Sequence, residues 1–401
     1  MIRTKEYTEG KTTFVSADVD HYSEDKQQPT SSLPVFMNPR MRVNRDFSVI
    51  FLHTYIRDNE IDLLCEPLAG SGVRTLRYLN EVPGNFQALM FDANPTAVEM
   101  AAKNIETLGF QDRCEAKKGD AKLLLISESR GKRFDYVDVD PFGSPAPFLN
   151  AAIQSLNPRN GLLALTATDM PALCGVWPDV AMRRYGGYSF RSPFSHEIAV
   201  RLLLGLAYRV AGLNDRSIRP LAVLSSEHFI RAWIGVKASR TESNVQASEI
   251  GFVYYCPSCM STETVSLQDG PSTGGFNHQA ESCSGSITTA GPLWIGSLYD
   301  RTMLEHAGES IKEFDWFHAS VERLLAMMVE EEPLTDYIYT DIHALCDLHN
   351  VPPPKTELLK LMLVNLGFRV SRTHFKSTAI RTDAPKSEVV KLLKDYSQER
   401  A

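Results

Sequence analysis

Apolar runs alternate with amphipathic stretches over residues 61–237, and this alternation predicts most of the regular elements of the chain. Strands are predicted at residues 61–65, 89–92, 113–118, 134–139 and 161–165. Most of them lead into a turn and then into residues with apolar side chains at helical spacing. Further strands at 220–224 and 229–236 close this part of the chain. Strands that alternate with helices are typical of a doubly wound, mostly parallel sheet, so we predict a Rossmann-like α/β domain.

The pattern becomes mainly helical beyond residue 291. We predict helices at residues 310–328, 341–349 and 355–366, followed by a short hairpin, which together make a winged-helix-like end. Residues 238–249 are polar and resemble a linker. These features predict two domains, one over residues 1–237 with an N-terminal arm and a smaller α+β domain over residues 238–401.

Length and charge restrict the class of protein. A chain of 401 residues is too long for one typical domain, and its formal net charge of −7 argues against indiscriminate coating of nucleic acid. No run of 18 apolar residues occurs, and no apolar signal region follows Met1-Ile2-Arg3-Thr4-Lys5. We therefore expect a soluble, cytoplasmic protein with no membrane partner, and nothing in the sequence implies an obligate protein partner.

Polar and small residues collect at the predicted strand ends. These residues are Glu66, Gly70, Gly72, Asp92, Asp120, Ala121 and Asp140. Ligands of open α/β sheets bind at the carboxyl ends of the strands, where a glycine turn allows close approach and an acid can accept from ribose hydroxyls. Thr75 stands where a dinucleotide fingerprint has its third glycine. The pattern therefore favours S-adenosylmethionine over a dinucleotide.

The stretch Asp140-Pro141-Phe142-Gly143 combines a carboxylate with an aromatic ring at a strand end. The carboxylate and nearby carbonyl groups can accept hydrogen bonds from an amino group, and the ring can stack on a base. Asp138 lies two residues earlier and therefore on the same side of an extended strand. It could support such a site or cap the strand.

Several segments together resemble one known family. They are residues 36–46, residues 138–145, Thr166-Ala167-Thr168-Asp169 with Leu173-Cys174-Gly175, Thr373-His374-Phe375 and residues 380–385. In combination they resemble the tRNA (guanine-26-N2)-dimethyltransferases of archaea and eukaryotes, which are class I S-adenosylmethionine-dependent methyltransferases. The resemblance spans the chain from Phe36 onward and implies transfer of methyl groups to the exocyclic N2 amine of guanine in tRNA.

The resemblance also implies roles for single residues. Arg45, Arg74, Asp92, Asp120 and Ala121 fall on the family's S-adenosylmethionine contacts. Phe36 and Phe142 fall on aromatic residues that flank the target base, and Asp140 falls on the catalytic acid. The residues alone reach only methyl transfer to a base amine. The alternatives are therefore an amino-methyltransferase for another RNA or DNA base, or a non-catalytic zinc-bearing RNA-binding protein.

Four soft ligands occur in a predicted insert at residues 254–285. Cys256 and Cys259 form a Cys-x-x-Cys pair, and His278 and Cys283 follow about twenty residues later. This spacing is typical of a structural zinc site, although Ala280 replaces the first Cys of a second pair. An unmetallated loop with free thiols is the alternative, and a metal here would be structural.

Basic residues lie on or near the predicted hairpin at residues 367–381, which we call the wing. They are Arg369, Arg372, His374, Lys376 and Arg381. Such side chains suit phosphate contacts that position a nucleic acid without reading its sequence. A winged helix that binds protein is the alternative. The aromatic and basic segment at residues 183–196 allows two interpretations as well, an RNA-facing surface or a solvated loop.

Overall fold

The N-terminal residues form a hairpin that packs on the sheet domain. The computed structural model describes residues 2–23, 33–226, 228–270, 276, 278 and 283–398. Strands β1 (Thr4–Glu9) and β2 (Thr12–Ala17) pair antiparallel, and a single-turn helix α1 (Val19–Tyr22) follows. The alternating residues Thr12-Thr13-Phe14-Val15 predict a short strand followed by a loop, and the strand is confirmed as part of β2. Its partner β1 carries mostly polar residues, so the apolar pattern did not reveal it. Residues 24–32 of the predicted loop lie outside the described residues.

A seven-stranded sheet forms the centre of the first domain. Its strands are β3 (Leu63–Glu66), β4 (Gln87–Asp92), β5 (Cys114–Lys118), β6 (Tyr136–Val139), β7 (Gly161–Ala167), β8 (Arg216–Ser225) and β9 (Ile230–Ala238). The order across the sheet is β5-β4-β3-β6-β7-β9-β8. The first five of these strands are parallel, whereas β9 runs antiparallel to both β7 and β8. The predicted α/β class is confirmed.

Helices cover both faces of this sheet. They are α2 (Arg42–Tyr55), α3 (Val73–Glu81), α4 (Pro95–Thr107), α5 (Ala121–Glu128), α6 (Ala146–Ser155), α7 (Met170–Leu173), α8 (Pro178–Tyr185) and α9 (Ser195–Gly212). Helix α3 contacts α2 and α4, while α6 contacts α5 and α9. Because right-handed crossovers in opposite directions from β3 place helices on opposite faces, these two groups enclose the sheet. Every residue of β3, β6 and β7 is therefore buried.

The C-terminal residues add two small sheets and five larger helices. In chain order the elements are α10 (Arg240–Val245), β10 (Ile250–Tyr255), β11 (Thr262–Ser266), β12 (Thr288–Trp294), α11 (Arg301–Ser310), α12 (Ser320–Glu331), β13 (Thr340–Asp341), α13 (Ile342–His349), α14 (Thr356–Asn365), β14 (Val370–Arg372), β15 (Ala379–Thr382) and α15 (Lys386–Gln398). The sheets have the orders β11-β10-β12 and β13-β15-β14. The sequence α13, α14, β14, β15 is the expected helix, helix and hairpin of a winged-helix-like end.

Two predictions for the C-terminal half are wrong. The helix expected at residues 310–328 is split, because α11 ends at Ser310 and α12 begins at Ser320. The intervening chain carries Trp316, whose Nε1 donates to Glu81 Oε2 at 3.1 Å and whose ring lies 3.8 Å from Lys11 Nζ. These contacts with the first domain outweigh the local helical pattern. The expected linker at 238–249 instead contains α10 and a 3₁₀ turn.

None of the helices in the described part of the chain combines the length and the apolar character needed to cross a bilayer.

Candidate active site

A cavity of about 360 Å³ opens at the carboxyl ends of β3, β4, β6 and β7. This size lies within the range of small-molecule sites in proteins. Its lining combines charged, small and aromatic side chains: Phe36, Met37, Asn38, Met41, Arg45, Glu66, Leu68, Ala69, Gly70, Val73, Arg74, Asp92, Asp140, Pro141, Phe142, Phe148 and Thr168. Residues from four separate strand ends, from the chain before α2 and from α2 itself therefore meet at the position where open α/β sheets bind ligands.

The turn after β3 and the end of β4 are joined by backbone hydrogen bonds to one carboxylate. Asp92 Oδ2 accepts from Gly70 N at 2.9 Å, and Asp92 Oδ1 accepts from Asn94 N at 2.8 Å. Gly70 has a φ of +55°, and a Cβ there would lie 3.0 Å from the carbonyl oxygen of Phe36. Glycine thus lets the turn pass close to residue 36. Each oxygen of Asp92 retains a lone pair for a ligand, because a carboxylate oxygen can accept more than one bond.

Asp140 lies at the end of β6 and pairs with Arg74. Arg74 Nη2 donates to Asp140 Oδ2. The other end of the same guanidinium is held by α2, because Nη1 donates to Asn44 Oδ1 at 2.7 Å and to Ser48 Oγ at 2.8 Å. Arg74 is 2% exposed and Asp140 is 18% exposed. The buried arginine therefore orients a carboxylate that remains open to the cavity.

Asp138 has a different environment, although it is only two residues away. It is fully buried, and its Oδ2 accepts from Tyr78 Oη at 2.5 Å, Arg231 Nη2 at 2.6 Å and Tyr136 Oη at 2.8 Å. Burial alone would raise the pKa of Asp138, but Arg231 and Arg74 outweigh it and hold that pKa below its usual value. Asp138 does not line the cavity, so its position fits support of the strand end and not contact with a substrate.

Glu66 forms part of the cavity floor. Its Oε2 accepts from Thr75 Oγ1 at 2.7 Å and from Thr75 N at 3.2 Å, at the start of α3. Complete burial raises the pKa of Glu66 to about 8, and Arg74 opposes this rise only in part. A carboxyl group that is protonated near neutral pH can donate a hydrogen bond as well as accept one. Glu66 is therefore suited to a ligand with a neutral polar group.

Two aromatic rings meet at the cavity. The ring centroids of Phe36 and Phe142 are 4.1 Å apart in an edge-to-face arrangement, and Phe142 is 55% exposed. The loop behind Phe142 is fixed by two hydrogen bonds to the end of β7. Gly143 N donates to Thr168 Oγ1 at 2.7 Å, and Thr168 N donates to the carbonyl oxygen of Gly143 at 2.8 Å. The exposed ring thus stands on an ordered backbone.

Arg45 also lines the cavity and forms an ion pair with Glu9 of the N-terminal hairpin. Arg45 Nε donates to Glu9 Oε2 at 2.6 Å, and its Nη2 donates to Glu9 Oε1 and to the carbonyl oxygen of Asn38 at 3.0 Å. Burial would raise the pKa of Glu9, but Arg45 and Arg77 together lower it. Glu9 is thus an ionised partner that positions Arg45.

The structure brings most of the predicted site residues together but leaves some outside the cavity. Gly72 begins α3 with a φ of +78°, and a Cβ there would lie 2.7 Å from Met90 Sδ, so its role is in packing. Asp120 caps α5 by accepting from Lys122 N and Leu123 N at 2.9 and 3.1 Å. Ala121 follows it, and both lie outside the lining. Asp169 precedes α7, its carboxylate accepts from Arg184 and Tyr185, and it also lies outside the lining.

Sequence reasoning missed other lining residues and their partners. Met37, Asn38, Met41, Leu68, Phe148 and Thr168 line the cavity without a predicted role. Apolar and small polar residues of this kind occur throughout any globular chain, so no local signal distinguishes them. The segment 36–46 was singled out only by its resemblance to a family, which pointed to the right region.

Comparison with known proteins places the chain in a family. The model of the N2,N2-dimethylguanosine tRNA methyltransferases matches residues 17–394. The chain belongs to this family. Among curated proteins, the tRNA (guanine(26)-N(2))-dimethyltransferase of Methanosphaera stadtmanae is 33% identical over 386 residues, which cover 94% of this chain and 95% of the relative. The enzyme of the same name from Methanothermobacter thermautotrophicus is 34% identical over 379 residues, covering 92% and 95%.

A solved structure supports the same assignment. The complex of Trm1 from Pyrococcus horikoshii with S-adenosyl-L-methionine superposes with a TM-score of 0.80 at 26% identity, over 96% of this chain and 99% of that one. The predicted family is therefore confirmed. The fold extends over both halves of the chain, since nearly the whole of each protein is covered.

This member of the dimethylguanosine methyltransferase family also has a four-residue cluster far from the cavity in sequence. The ligand atoms of Cys256, Cys259, His278 and Cys283 all lie within 4.8 Å of one another. Cys256 Sγ is 3.7 Å from Cys283 Sγ, and Cys259 Sγ is 3.5 Å from His278 Nδ1. A tetrahedron with Zn–S bonds of about 2.3 Å has S–S edges of about 3.8 Å. The predicted ligand set is thus brought together with suitable spacing for zinc.

The basic residues on the wing of this methyltransferase have acidic partners. Arg369 pairs with Asp383 at 2.8 Å, Arg372 with Glu357 at 2.9 Å and Lys376 with Asp341 at 2.6 Å. Arg381 and His374 are buried and contact Glu331 at 2.7 and 2.5 Å. The wing thus offers less free positive charge than its sequence suggested.

Proposed function

We propose that this chain transfers methyl groups from S-adenosylmethionine to the exocyclic N2 amine of guanine 26 in tRNA, giving N2-methyl- and N2,N2-dimethylguanosine. The observation that carries the proposal is the position of Asp140. In a chain of this family, its carboxylate faces a ligand-sized cavity beside two aromatic rings, Phe36 and Phe142. The names of the two curated relatives supply the position of the guanine and the dimethylated product.

The cavity residues fit S-adenosylmethionine, which the related Trm1 structure contains. Asp92 would accept from the ribose hydroxyls, Arg45 and Arg74 would attract the carboxylate of the methionine part, and Glu66 and Gly70 would border the cofactor. Asp120 and Ala121 would lie at the adenine end. Arg74 Nε and Asn44 Nδ2 are buried and have no hydrogen-bond acceptor among the described residues, so a polar ligand that reached them would supply one. When bound, the cofactor supplies a methyl group on a positively charged sulfur.

Asp140 would act on the guanine. The lone pair of the N2 amine is delocalised into the ring, so the amine is a poor nucleophile. A carboxylate that accepts the N–H hydrogen bond, and takes the proton as the new N–C bond forms, directs this lone pair toward the methyl group. Arg74 keeps the carboxylate oriented. A second methyl transfer requires only that the monomethylated amine still fit, since it retains one N–H.

The aromatic pair would hold the base. A guanine inside a tRNA helix must leave its stack before its amine can reach Asp140, and aromatic faces offset part of that cost. Phe36 and Phe142 contact each other, so the base can enter between them only if the rings separate. The exposed ring of Phe142 can rotate more easily, because Phe36 is packed against the core.

The cluster of Cys256, Cys259, His278 and Cys283 would hold one structural zinc ion. Thiolates and imidazole are preferred zinc ligands, and a set of four leaves no open position for catalysis. The cluster would stabilise the 254–285 insert. We further propose that residues 238–401 form a tRNA-binding domain whose contacts with tRNA do not involve Arg369 and Arg372, because carboxylates already pair with both. A cytoplasmic location stays a prediction.

Nucleoside mass spectrometry tests the proposed reaction. An unmodified tRNA transcript with guanine at position 26 is incubated with the protein and S-adenosylmethionine, beside a transcript with adenine at that position. We expect N2,N2-dimethylguanosine only in the first. The control variant Arg369→Ala changes an exposed charge on the wing and should keep full activity.

Other outcomes would favour the alternatives. Methylation of both transcripts would keep the enzyme class but move the target to another guanine. Methylated adenine, or no product in tRNA together with product in DNA, would favour another amino-methyltransferase. Binding of cofactor and RNA without any methylated product would favour a non-catalytic RNA-binding protein.

A further inference from the structure

The chain after β7 forms a surface next to the cavity. We call residues 169–191, which contain α7 and α8, the 169–191 segment. It begins directly after Thr168, whose side chain and backbone form hydrogen bonds with Gly143 in the loop that carries Phe142. Asp169 then accepts from Tyr185 Oη at 2.5 Å and from Arg184 Nη1 at 3.0 Å. The C-terminal end of α8 is thereby tied to Asp169, the residue after Thr168.

The last residues of this segment lie against α7. Gly175 has a φ of +82°, and a Cβ there would lie 2.2 Å from the carbonyl carbon of Phe190. Ser189 Oγ donates to the carbonyl oxygen of Ala172 at 2.8 Å. The backbone of Tyr188 is fixed by two hydrogen bonds with Gly291, at 2.8 and 2.9 Å. Residues 188–191 are therefore held next to the α7–α8 connection, and together they form one ordered surface.

Large apolar side chains are exposed on this surface. Trp177 is 57% exposed and Tyr188 is 46% exposed, and Val176 and Met182 are also exposed. These four side chains are accessible to solvent, although Tyr185 of the same segment is buried. They belong to a segment that follows directly from Thr168, which hydrogen-bonds to the loop of Phe142, whose ring is also exposed. Several large apolar side chains exposed in one segment favour an interaction site.

Exposed arginines accompany these rings. Arg183 and Arg191 are exposed, and among the described residues neither has an ion-pair or hydrogen-bond partner for its guanidinium. The wing differs, because Arg369, Arg372 and Lys376 are each paired with a carboxylate. In a chain with a net charge of −7, unpaired arginines beside exposed rings favour a polyanion that also has flat faces.

We propose that the 169–191 segment binds the RNA strand that adjoins the target guanine. Trp177 and Tyr188 stack on neighbouring bases, and Arg183 and Arg191 contact phosphates. This inference rests on the proposed function, since it identifies where the tRNA meets the catalytic site. Aromatic stacking is tolerant of sequence, and phosphate contacts position a nucleic acid without reading it. The surface therefore holds the strand in place while Asp140 and the aromatic pair select the base.

The test compares variants of the full chain with an unmodified tRNA transcript. Trp177→Ala should weaken tRNA binding about ten-fold, as expected for the loss of one stacked base. Trp177→Phe should retain most of the affinity, because it keeps a flat ring. The double variant Arg183→Ala/Arg191→Ala should weaken binding and lower the slope of log Kd against log salt concentration by roughly 1.5, since each phosphate contact contributes about 0.7 to 0.9.

Controls separate this surface from other causes. The wing variant Arg369→Ala/Arg372→Ala also removes two arginines but should leave both the tRNA affinity and the salt slope unchanged. S-adenosylmethionine affinity should be unchanged in every variant. The KM for tRNA should rise in the 169–191 variants while kcat changes little.

Two results would overturn the inference. One is an unchanged tRNA affinity and salt slope in both the Trp177→Ala variant and the double arginine variant. The other is an equal loss of affinity in the wing variant, which would indicate a diffuse charge effect. Methylation by the wild-type chain reports separately on the proposed function, because its failure rejects that proposal whatever the variants do.

Discussion

Asp138 and Asp140 offer a sharp comparison, because two identical side chains on one strand end have different surroundings. We consider Asp138→Asn and Asp140→Asn, which remove the charge but keep the size. At position 138 the carboxylate is fully buried and faces Arg231 Nη2 at 2.6 Å and Arg74 Nε at 3.8 Å. At position 140 it is partly exposed, and its ion-pair partner among the described residues is Arg74.

The expected magnitudes follow from these partners. Loss of one member of a buried ion pair leaves the other charge uncompensated, which costs about 3–5 kcal/mol. Asp138→Asn should therefore lower the free energy of unfolding by that amount, because Arg231 is completely buried. Asp140→Asn should cost about 1 kcal/mol, since Arg74 keeps its hydrogen bonds to Asn44 and Ser48 and a hydrogen bond of this kind contributes about that much.

The two substitutions should affect the rate of methyl transfer in the opposite order, with the larger loss in Asp140→Asn. Loss of a positioned proton acceptor lowers a reaction rate by roughly 10²- to 10⁴-fold. Asp140→Asn should therefore lower the rate of methyl transfer by at least roughly 10²-fold. Urea unfolding gives the free energies, single-turnover methylation gives the rates, and calorimetry gives the cofactor affinity, which should stay within a few-fold in Asp140→Asn. A folded Asp138→Asn protein of wild-type stability that is inactive would refute the reasoning, as would an active Asp140→Asn protein.

Three further predictions follow from the charged and metal-binding groups. Burial raises the pKa of Glu66 from 4.5 to about 8, so its contribution to stability is complete below pH 4.5 and is lost as pH rises through 8. The free energy of unfolding of wild type, measured by urea unfolding, should therefore fall as pH rises from 4.5 to 8, and Glu66→Gln should reduce this dependence. Burial opposes ionisation of Glu331, but Arg381 and His374 lower its pKa to about 2, so Glu331→Gln should destabilise the protein by about 3–5 kcal/mol at pH 7 and lessen the stability lost as pH falls from 4.5 through 2, measured by urea unfolding at each pH. Elemental analysis should find one zinc ion per chain in wild type and in Cys174→Ala, whose thiol lies outside the cluster, but none in Cys259→Ala, and a full zinc content in the latter would exclude the proposed ligand set.

Local patterns along the sequence predicted a large part of the fold. The alternation of apolar runs with amphipathic stretches identified the strands and helices of the first domain, because burial of a strand or a helix face imposes a period that neighbouring residues display. The glycine turn at Gly70 and the acids Asp92 and Asp140 were found for a similar reason. Each stands at a strand end, where backbone geometry and ligand contact demand a particular residue type. Cys256 and Cys259 were likewise visible as a short-range pair.

The partners of these residues could not be read from any short stretch. Arg74 was expected to contact the cofactor, and its pairing with Asp140, which is 66 positions away, was not expected. Arg45 is held by Glu9 from a hairpin whose first strand shows no apolar pattern. The helix predicted across residues 310–328 gives way where Trp316 reaches Glu81.

Electrostatic roles depended most strongly on the tertiary structure. The wing and the 169–191 segment both contain arginines, and their sequences suggest similar surfaces. Packing places Glu357 beside Arg372 and buries Arg381 between Glu197 and Glu331, whereas Arg183 and Arg191 receive no such partner among the described residues. The sequence by itself determined which residue types stand at the strand ends and turns, because those depend on neighbours along the chain. Only the tertiary structure decided which charges are neutralised and which remain available, because an ion pair forms between whichever elements pack together, at any separation in sequence.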